Sequence, residues 1–155
     1  MVCLQMTAKQ MWEAFLKITP SAAGETVEAW HYTTDQADHL ALLTALGIKT
    51  ATSSAYPVYE AVGEELPRSG EYSIVMRKDG TAVCVVYTTR VYVVPFRDVS
   101  EEHAWREGEG DRSLAHWRKV HKEFFSTSME KVGLSFSDNM GVVCEEFTRV
   151  YPVLS

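Results

Sequence analysis

At 155 residues, 46% hydrophobic and 23% charged, the chain has the size and composition of one soluble globular domain. Its 15 basic side chains face 21 acidic ones, a net charge of −6. That excludes a broad DNA- or RNA-binding surface, whose affinity comes from neutralising phosphates, and leaves open a nucleoside-sized ligand or a short strand on a local patch.

The elements follow in chain order. Thr7 is placed to cap a helix over residues 7–18, with Met11, Phe15 and Ile18 on one face, Trp12 and Leu16 widening it, and Pro20 beyond its end. A second helix is predicted over about 34–46, opened by Thr34 or Asp35 and closed by Gly47 at the C′ position. Residues 71–78 and 81–88 flank Asp79-Gly80, a favoured two-residue hairpin turn. The run Val83-Cys84-Val85-Val86-Tyr87 is apolar on both alternating faces, as in a strand covered on both sides. Val91-Tyr92-Val93-Val94 reads as a further strand, which Pro95 ends. A third helix is predicted from Asp111 or Ser113 to about Phe125, and a closing strand over 142–151. Three helices around a mainly antiparallel sheet describe an α+β protein, a barrel with helices over its ends. Val83, Val85, Val93 and Val143 are its expected core.

Cys3, Cys84 and Cys144 form neither a disulfide framework nor a C-x-x-C metal spacing. With no secretory leader or membrane-length apolar run in view, a reducing, cytoplasmic setting is expected, with no membrane partner.

Three segments hold the residue types that chemistry needs. Gly47–Ser54 follows a predicted helix and carries Lys49 among four hydroxyls, Thr50, Thr52, Ser53 and Ser54. An ammonium with short donors suits an anionic or carbonyl-bearing ligand, and a buried lysine that loses its proton is a base for a neighbouring hydroxyl. The plainer alternative is a polar connection with a solvated lysine. Residues 98–111 hold six acids and two glycines, Gly108 and Gly110, and read as a tight loop between short helical turns. They match no EF-hand and carry no His/Cys ligand spacing, so no metal site is expected. Arg112–Lys122 holds four cations, two histidines and no acid. There Leu114, Trp117, Val120, Phe124 and Phe125 form an apolar stripe, with His121 inside it as a core histidine. His116 and His121 stand five apart, not the four that puts two ligands on one helical face. No G-x-S-x-G elbow supports serine catalysis.

Further patterns accompany these segments: Leu66-Pro67-x-x-Gly70-x-Tyr72, Val94-Pro95-Phe96, His103-Ala104-x-x-Glu107-Gly108-Glu109-Gly110-Asp111, and Phe136-Ser137-Asp138-x-Met140-x-Val142-Val143-Cys144-Glu145-x-Phe147. With Gly47-x-Lys49 they resemble the ASCH family, in its longer acidic-loop type. The resemblance implies a PUA-like, mainly antiparallel β-barrel with helices packed around it. It reads residues 1–155 as one ASCH domain, with an N-terminal helical extension over about 1–46 and a barrel core over about 47–151. The family is associated with RNA. One branch looks like an amidohydrolase that deacetylates acetylcytidine with a Lys, a Thr and a Glu, matched here by Lys49, Thr52 and Glu107. Another is a ribonuclease that uses the same motif lysine. The wider family pattern, G-x-K-x-x-E-x-R, has Glu and Arg where this chain has Thr52 and Ser54.

The resemblance thus implies an RNA- or modified-nucleoside-directed hydrolase, needing no cofactor. Thr52 is the expected nucleophile, Lys49 its base, and Glu107 the proton shuttle or the group orienting Lys49. Ser53, Ser54, Tyr56, Trp105, Arg112 and Ser137 are expected to bind substrate, the aromatic residues by stacking on a base. In a ribonuclease, Lys49 stabilises the pentavalent phosphate with Ser53 or Ser137 as partners. The rivals are a non-catalytic RNA-binding module using Arg112, Arg118 and Lys119, and a small-ligand sensor.

Overall fold

The computed structural model of the chain describes residues 5–153, so Cys3 lies outside the described residues. The elements are α1 (Ala8–Ile18), β1 (Val27–His31), α2 (Ala37–Ala45), β2 (Ala51–Ala55), α3 (Tyr56–Val62), β3 (Tyr72–Met76), β4 (Ala82–Pro95), α4 (Glu101–Glu107), α5 (Leu114–Glu130) and β5 (Gly141–Tyr151). Hydrogen-bonded neighbours run in the order β1-β3-β4-β5-β2. β3 pairs antiparallel with β4 and β2 with β5, whereas β1 lies parallel to β3. This is a mixed α+β protein with a mainly antiparallel sheet. Among the described residues no helix is long and apolar enough to cross a membrane.

The chain divides into two compact units. One takes in residues 5–49, 69–89 and 147–153 of the described chain, the other 50–68 and 90–146.

In the first unit, α1 starts where its cap dictates. Thr7 Oγ1 accepts from the Gln10 N–H at 3.1 Å, and Gln10 Oε1 accepts from the Thr7 N–H at 2.9 Å, a reciprocal capping box. Met11 and Phe15 are buried against Ile74, Ala82 and Val85, while Ile18 is exposed. Cys84 and Val86 point the other way, into a cluster with Tyr32, Leu40, Ala41, Val75 and Phe147. The two-residue period of β4 thus feeds two apolar layers, as a strand covered on both faces must. Burial pushes the Cys84 thiol up to about 12. The Asp79-Gly80 turn forms as expected, with Gly80 at φ +88°. The second helix starts later than its sequence suggests, because Thr34 Oγ1 accepts from the Gln36 N–H at 3.2 Å and winds residues 34–36 into a turn.

In the second unit, Phe96, Val99, Trp117, Phe125, Met129, Val142 and Cys144 form the core. Ser113 caps α5 by accepting from the His116 N–H at 3.1 Å, and the helix runs beyond Phe125 to bury Met129. Val120 is exposed and falls outside the buried stripe, which follows Trp117, His121 and Phe125 at four-residue steps. The two strands expected on either side of residue 90 are one 14-residue strand, β4. Thr88 and Thr89 are β-branched and continue it. Val85 and Val143 are buried as expected and Val83 is half-buried, but Val93 is 43% exposed. Its neighbours Tyr92 and Val94 face the core cluster instead.

Candidate functional site

β2 reads Ala51-Thr52-Ser53-Ser54-Ala55, polar enough to pass for a loop. Its burial alternates: Ala51, Ser53 and Ala55 are buried, Thr52 and Ser54 only half so. In register, Ser53 stands opposite Cys144 and Thr52 opposite Glu145, so Ser53 and Thr52 project to opposite faces. The Thr50 N–H donates to the Arg106 carbonyl at 2.7 Å, tying the start of β2 to the end of α4. Ser100 caps α4, and Glu101 and Glu102 in its first turn suit the positive end of the helix dipole. The four-residue step from His103 to Glu107 puts both on one face, each 1% exposed. The same step on α5 delivers Trp117 and His121.

These side chains converge on one atom, Glu107 Oε2. Ser53 Oγ donates to it at 2.6 Å and Trp117 Nε1 through a short hydrogen bond, with His103 Nε2 at 3.1 Å and His121 Nε2 at 3.5 Å. Ser53 Oγ is also 2.7 Å from His103 Nε2. A serine hydroxyl has one hydrogen, and here it goes to Glu107. His103 therefore carries its proton on Nε2 and gives it toward Ser53 and Glu107. His121 stacks on the Trp117 indole, with centroids 4.2 Å apart and planes 13° apart, and its Nδ1 lies 2.9 Å from the Trp117 carbonyl oxygen. Burial alone would lower the His121 pKa, but the Glu107 charge and hydrogen bond, with Glu109 and the Trp117 carbonyl, outweigh it and raise the pKa above its usual 6.5. Cys144, beside the cluster, is pushed up to about 12, first by burial and then by Glu107, so it is no nucleophile.

Glu107, Glu109 and His121 each offer a ligand atom within 4.8 Å of the others. The donor set fits a metal poorly. Glu107 Oε2 already accepts three hydrogen bonds, and His121 Nε2 is turned toward that same oxygen.

Lys49 is 2% exposed, which replaces the solvated-lysine alternative. Its N–H donates to the Leu43 carbonyl at 3.1 Å, and its Nζ lies 5.5 Å from the centroid of the Tyr32 ring. The Tyr32 hydroxyl is held by Thr44 Oγ1 at 2.9 Å. Ser54 Oγ pairs with the Tyr59 hydroxyl at 2.8 Å. Tyr56 is half-buried, and a hydrogen bond to Glu60 raises its phenol pKa. Trp105 is 56% exposed under the Arg112 guanidinium, 3.7 Å from the ring centroid. Arg112 Nε donates to the Trp105 carbonyl at 2.9 Å. Ser137 is exposed in a turn and donates to Asn139 Oδ1. Of the residues expected at the site, Ser53 meets Glu107 and Arg112 meets Trp105. Thr52 and Ser54 share the other face of β2. The sequence reading missed His103 and Trp117 as site residues and took His121 for packing alone. The four-residue spacings of His103 with Glu107 and of Trp117 with His121 were the available signal.

Fold and site together define a mixed α+β protein with a buried carboxylate held by a strand and two helices. The sequence profile of the ASCH domain matches residues 28–151, and the chain belongs to the ASCH domain family. The fold is similar to the crystal structure of an ASCH domain from Lactobacillus crispatus JV V101. That match has a TM-score of 0.87 and 32% identity, and covers 92% of this chain and 93% of that one. It is also similar to protein EF3133 from Enterococcus faecalis V583, at a TM-score of 0.79 and 28% identity, over 92% of this chain and 86% of that one. No curated protein matches the chain.

Proposed function

We propose that this ASCH protein is a hydrolase directed at RNA or a modified nucleoside, with Glu107 as its proton-transferring group. One observation carries the reading: a carboxylate 1% exposed is given Ser53, His103, Trp117 and His121 as partners. Burying a charge is costly, and apolar packing of similar volume often serves stability as well or better. Such arrangements concentrate where chemistry needs a tuned acid or base. Amide hydrolysis on an acetylated cytidine fits better than phosphodiester cleavage. The Ser53 hydrogen is spent on Glu107 and Ser137 is exposed in its turn, which leaves a phosphate reaction short of the partners expected for it. In the amide reaction Glu107 takes a proton from the attacking water and returns it to the leaving amine as the C–N bond breaks. The alternation of β2 turns Thr52 away from Glu107, so the proposed nucleophile is water rather than Thr52, and acetate is the product. Cytoplasmic residence and a PUA-like barrel complete the proposal.

The test is to incubate the protein with N4-acetylcytidine, an acetylated oligoribonucleotide and unmodified RNA, and to follow acetate and strand cleavage by mass spectrometry. Glu107→Gln should reduce deacetylation by roughly 10²–10⁴-fold, the usual worth of a general acid/base. Absence of turnover on all three substrates in the wild type rejects the reading.

A second reading, a non-catalytic RNA-binding module, is supported by the exposed Trp105 ring with Arg112 laid over it. Arg118 is engaged by the Arg97 carbonyl at 2.9 Å, while Lys119 is exposed. On this reading RNA binds without turnover, and Arg118→Ala with Lys119→Ala flattens the salt dependence by about one unit per lost phosphate contact.

A further inference from the structure

The two histidines at Glu107 are not equivalent. His103 Nδ1 is buried with no hydrogen-bond partner among the described residues, so a second proton there would have nothing to donate to. His121 has an acceptor at each nitrogen: the Trp117 carbonyl at Nδ1, 2.9 Å away, and Glu107 Oε2 at Nε2, 3.5 Å away. Neither neutral tautomer satisfies both. A proton on Nδ1 alone leaves a bare Nε2 lone pair facing a carboxylate oxygen. A proton on Nε2 alone sets the Nδ1 lone pair against a carbonyl oxygen. The imidazolium donates from Nδ1 to the carbonyl and sets its Nε2 proton and positive charge beside the carboxylate.

We propose that His121 is the imidazolium of the cluster and a positioning residue for Glu107, keeping it an ionised base at the start of the reaction. The charge state rests on geometry alone, whereas the positioning role also rests on the hydrolase reading. The groups facing His121 agree with it. Glu107 comes from α4 and Glu109 from the loop after it, while His103 and Ser53 meet the same Glu107 oxygen. The stacked Trp117 ring and the edges of Phe124 and Phe125 come from α5 itself. The proton ledger closes without consuming the imidazolium. Glu107 takes a proton from water as it attacks the acetyl carbonyl and returns it to the leaving amine as the amide C–N bond breaks, giving acetate, while His121 keeps both of its own. The Trp117 stack and carbonyl fix the ring plane, so the charge stays aimed at Oε2.

The charge state is read from side-chain nitrogen NMR of the full, 15N-labelled chain. The expected spectrum shows both His121 nitrogens protonated at pH 7, with a midpoint above 6.5 that falls in Glu107→Gln. A wild-type His121 with an unprotonated nitrogen at pH 7, or a midpoint at or below 6.5, overturns the proposal whether or not any substrate turns over. If Glu107→Gln fails to fold, as its amide spectrum shows, the wild-type midpoint alone decides. With turnover on acetylcytidine, His121→Gln should lower kcat at least tenfold while KM stays within twofold, and an unchanged kcat overturns the positioning role. Absence of turnover beside a protonated His121 rejects the hydrolase reading and leaves the imidazolium assignment supported.

Discussion

Ser53 and Glu107, 54 residues apart in sequence, meet at 2.6 Å in a buried hydrogen bond that fixes which oxygen of the carboxylate gathers the cluster. The serine comes from a strand and the glutamate from the last residue of a helix, so the contact reports on both elements at once.

Removing that hydroxyl tests how far the cluster is needed for folding. Ser53→Ala leaves Glu107 Oε2 and His103 Nε2 each short of a partner, and should cost about 1–3 kcal/mol in urea denaturation. Ser53→Thr keeps a hydroxyl and should recover part of it. A Ser53→Ala protein as stable as wild type would mean that water replaces the serine.

Stability should depend on pH through His121. Its folded pKa is raised above the unfolded value of about 6.5. The folded state then binds the proton more tightly than the unfolded chain. This contribution is fully present below the unfolded pKa and is lost as pH rises through the folded one. The stability difference between wild type and His121→Gln should therefore shift against the wild type from pH 5.5 to pH 9. A difference that is flat across that range would show that the folded protein does not hold the proton more tightly.

The core assignment separates two valines of the same strand. Val85 is fully buried, and Val85→Ala should cost about 1–3 kcal/mol. Val93 is 43% exposed, and Val93→Ala should stay within about 0.5 kcal/mol. Thermal melts of the two variants give the comparison, and equal losses would contradict the facing of β4.

If the hydrolase reading holds, Lys49 serves either as a base or as a fixed charge, and one substitution separates these roles. Arginine keeps the charge but does not give up its proton. If Lys49 is a base, Lys49→Arg should be as inactive on acetylcytidine as Lys49→Ala. If it anchors the carbonyl, Lys49→Arg should retain measurable rate. Initial rates at pH 7 decide between them.

What the sequence disclosed was local. Thr7 and Gln10 cap a helix through neighbours three residues apart, Asp79-Gly80 turns a hairpin within itself, and Ser113 announces α5. β2 was hidden because Ala51–Ala55 is a strand only by virtue of its pairing with β5, not by apolar character. β1 was hidden for a related reason, being a short parallel partner of β3 with two of its five residues half-buried and three exposed. At the site, Glu107 and Ser53 were legible as candidates from their motifs. The alternation that turns Ser53 to Glu107 and Thr52 away needs the strand, and the part played by His121 needs Trp117 across a helical turn. Those are tertiary facts, and composition carries no trace of them.

The two buried thiols turn the protein into its own stopwatch. Cys84 belongs to one compact unit and Cys144 to the other, both are fully enclosed, and burial pushes each to about 12. Neither reacts with an alkylating reagent until its surroundings open, because the thiolate is the reactive form. The labelling rate at Cys84 therefore times the opening of the first unit and that at Cys144 the second. Equal rates would mark one cooperative event, and unequal rates would show which unit loosens first.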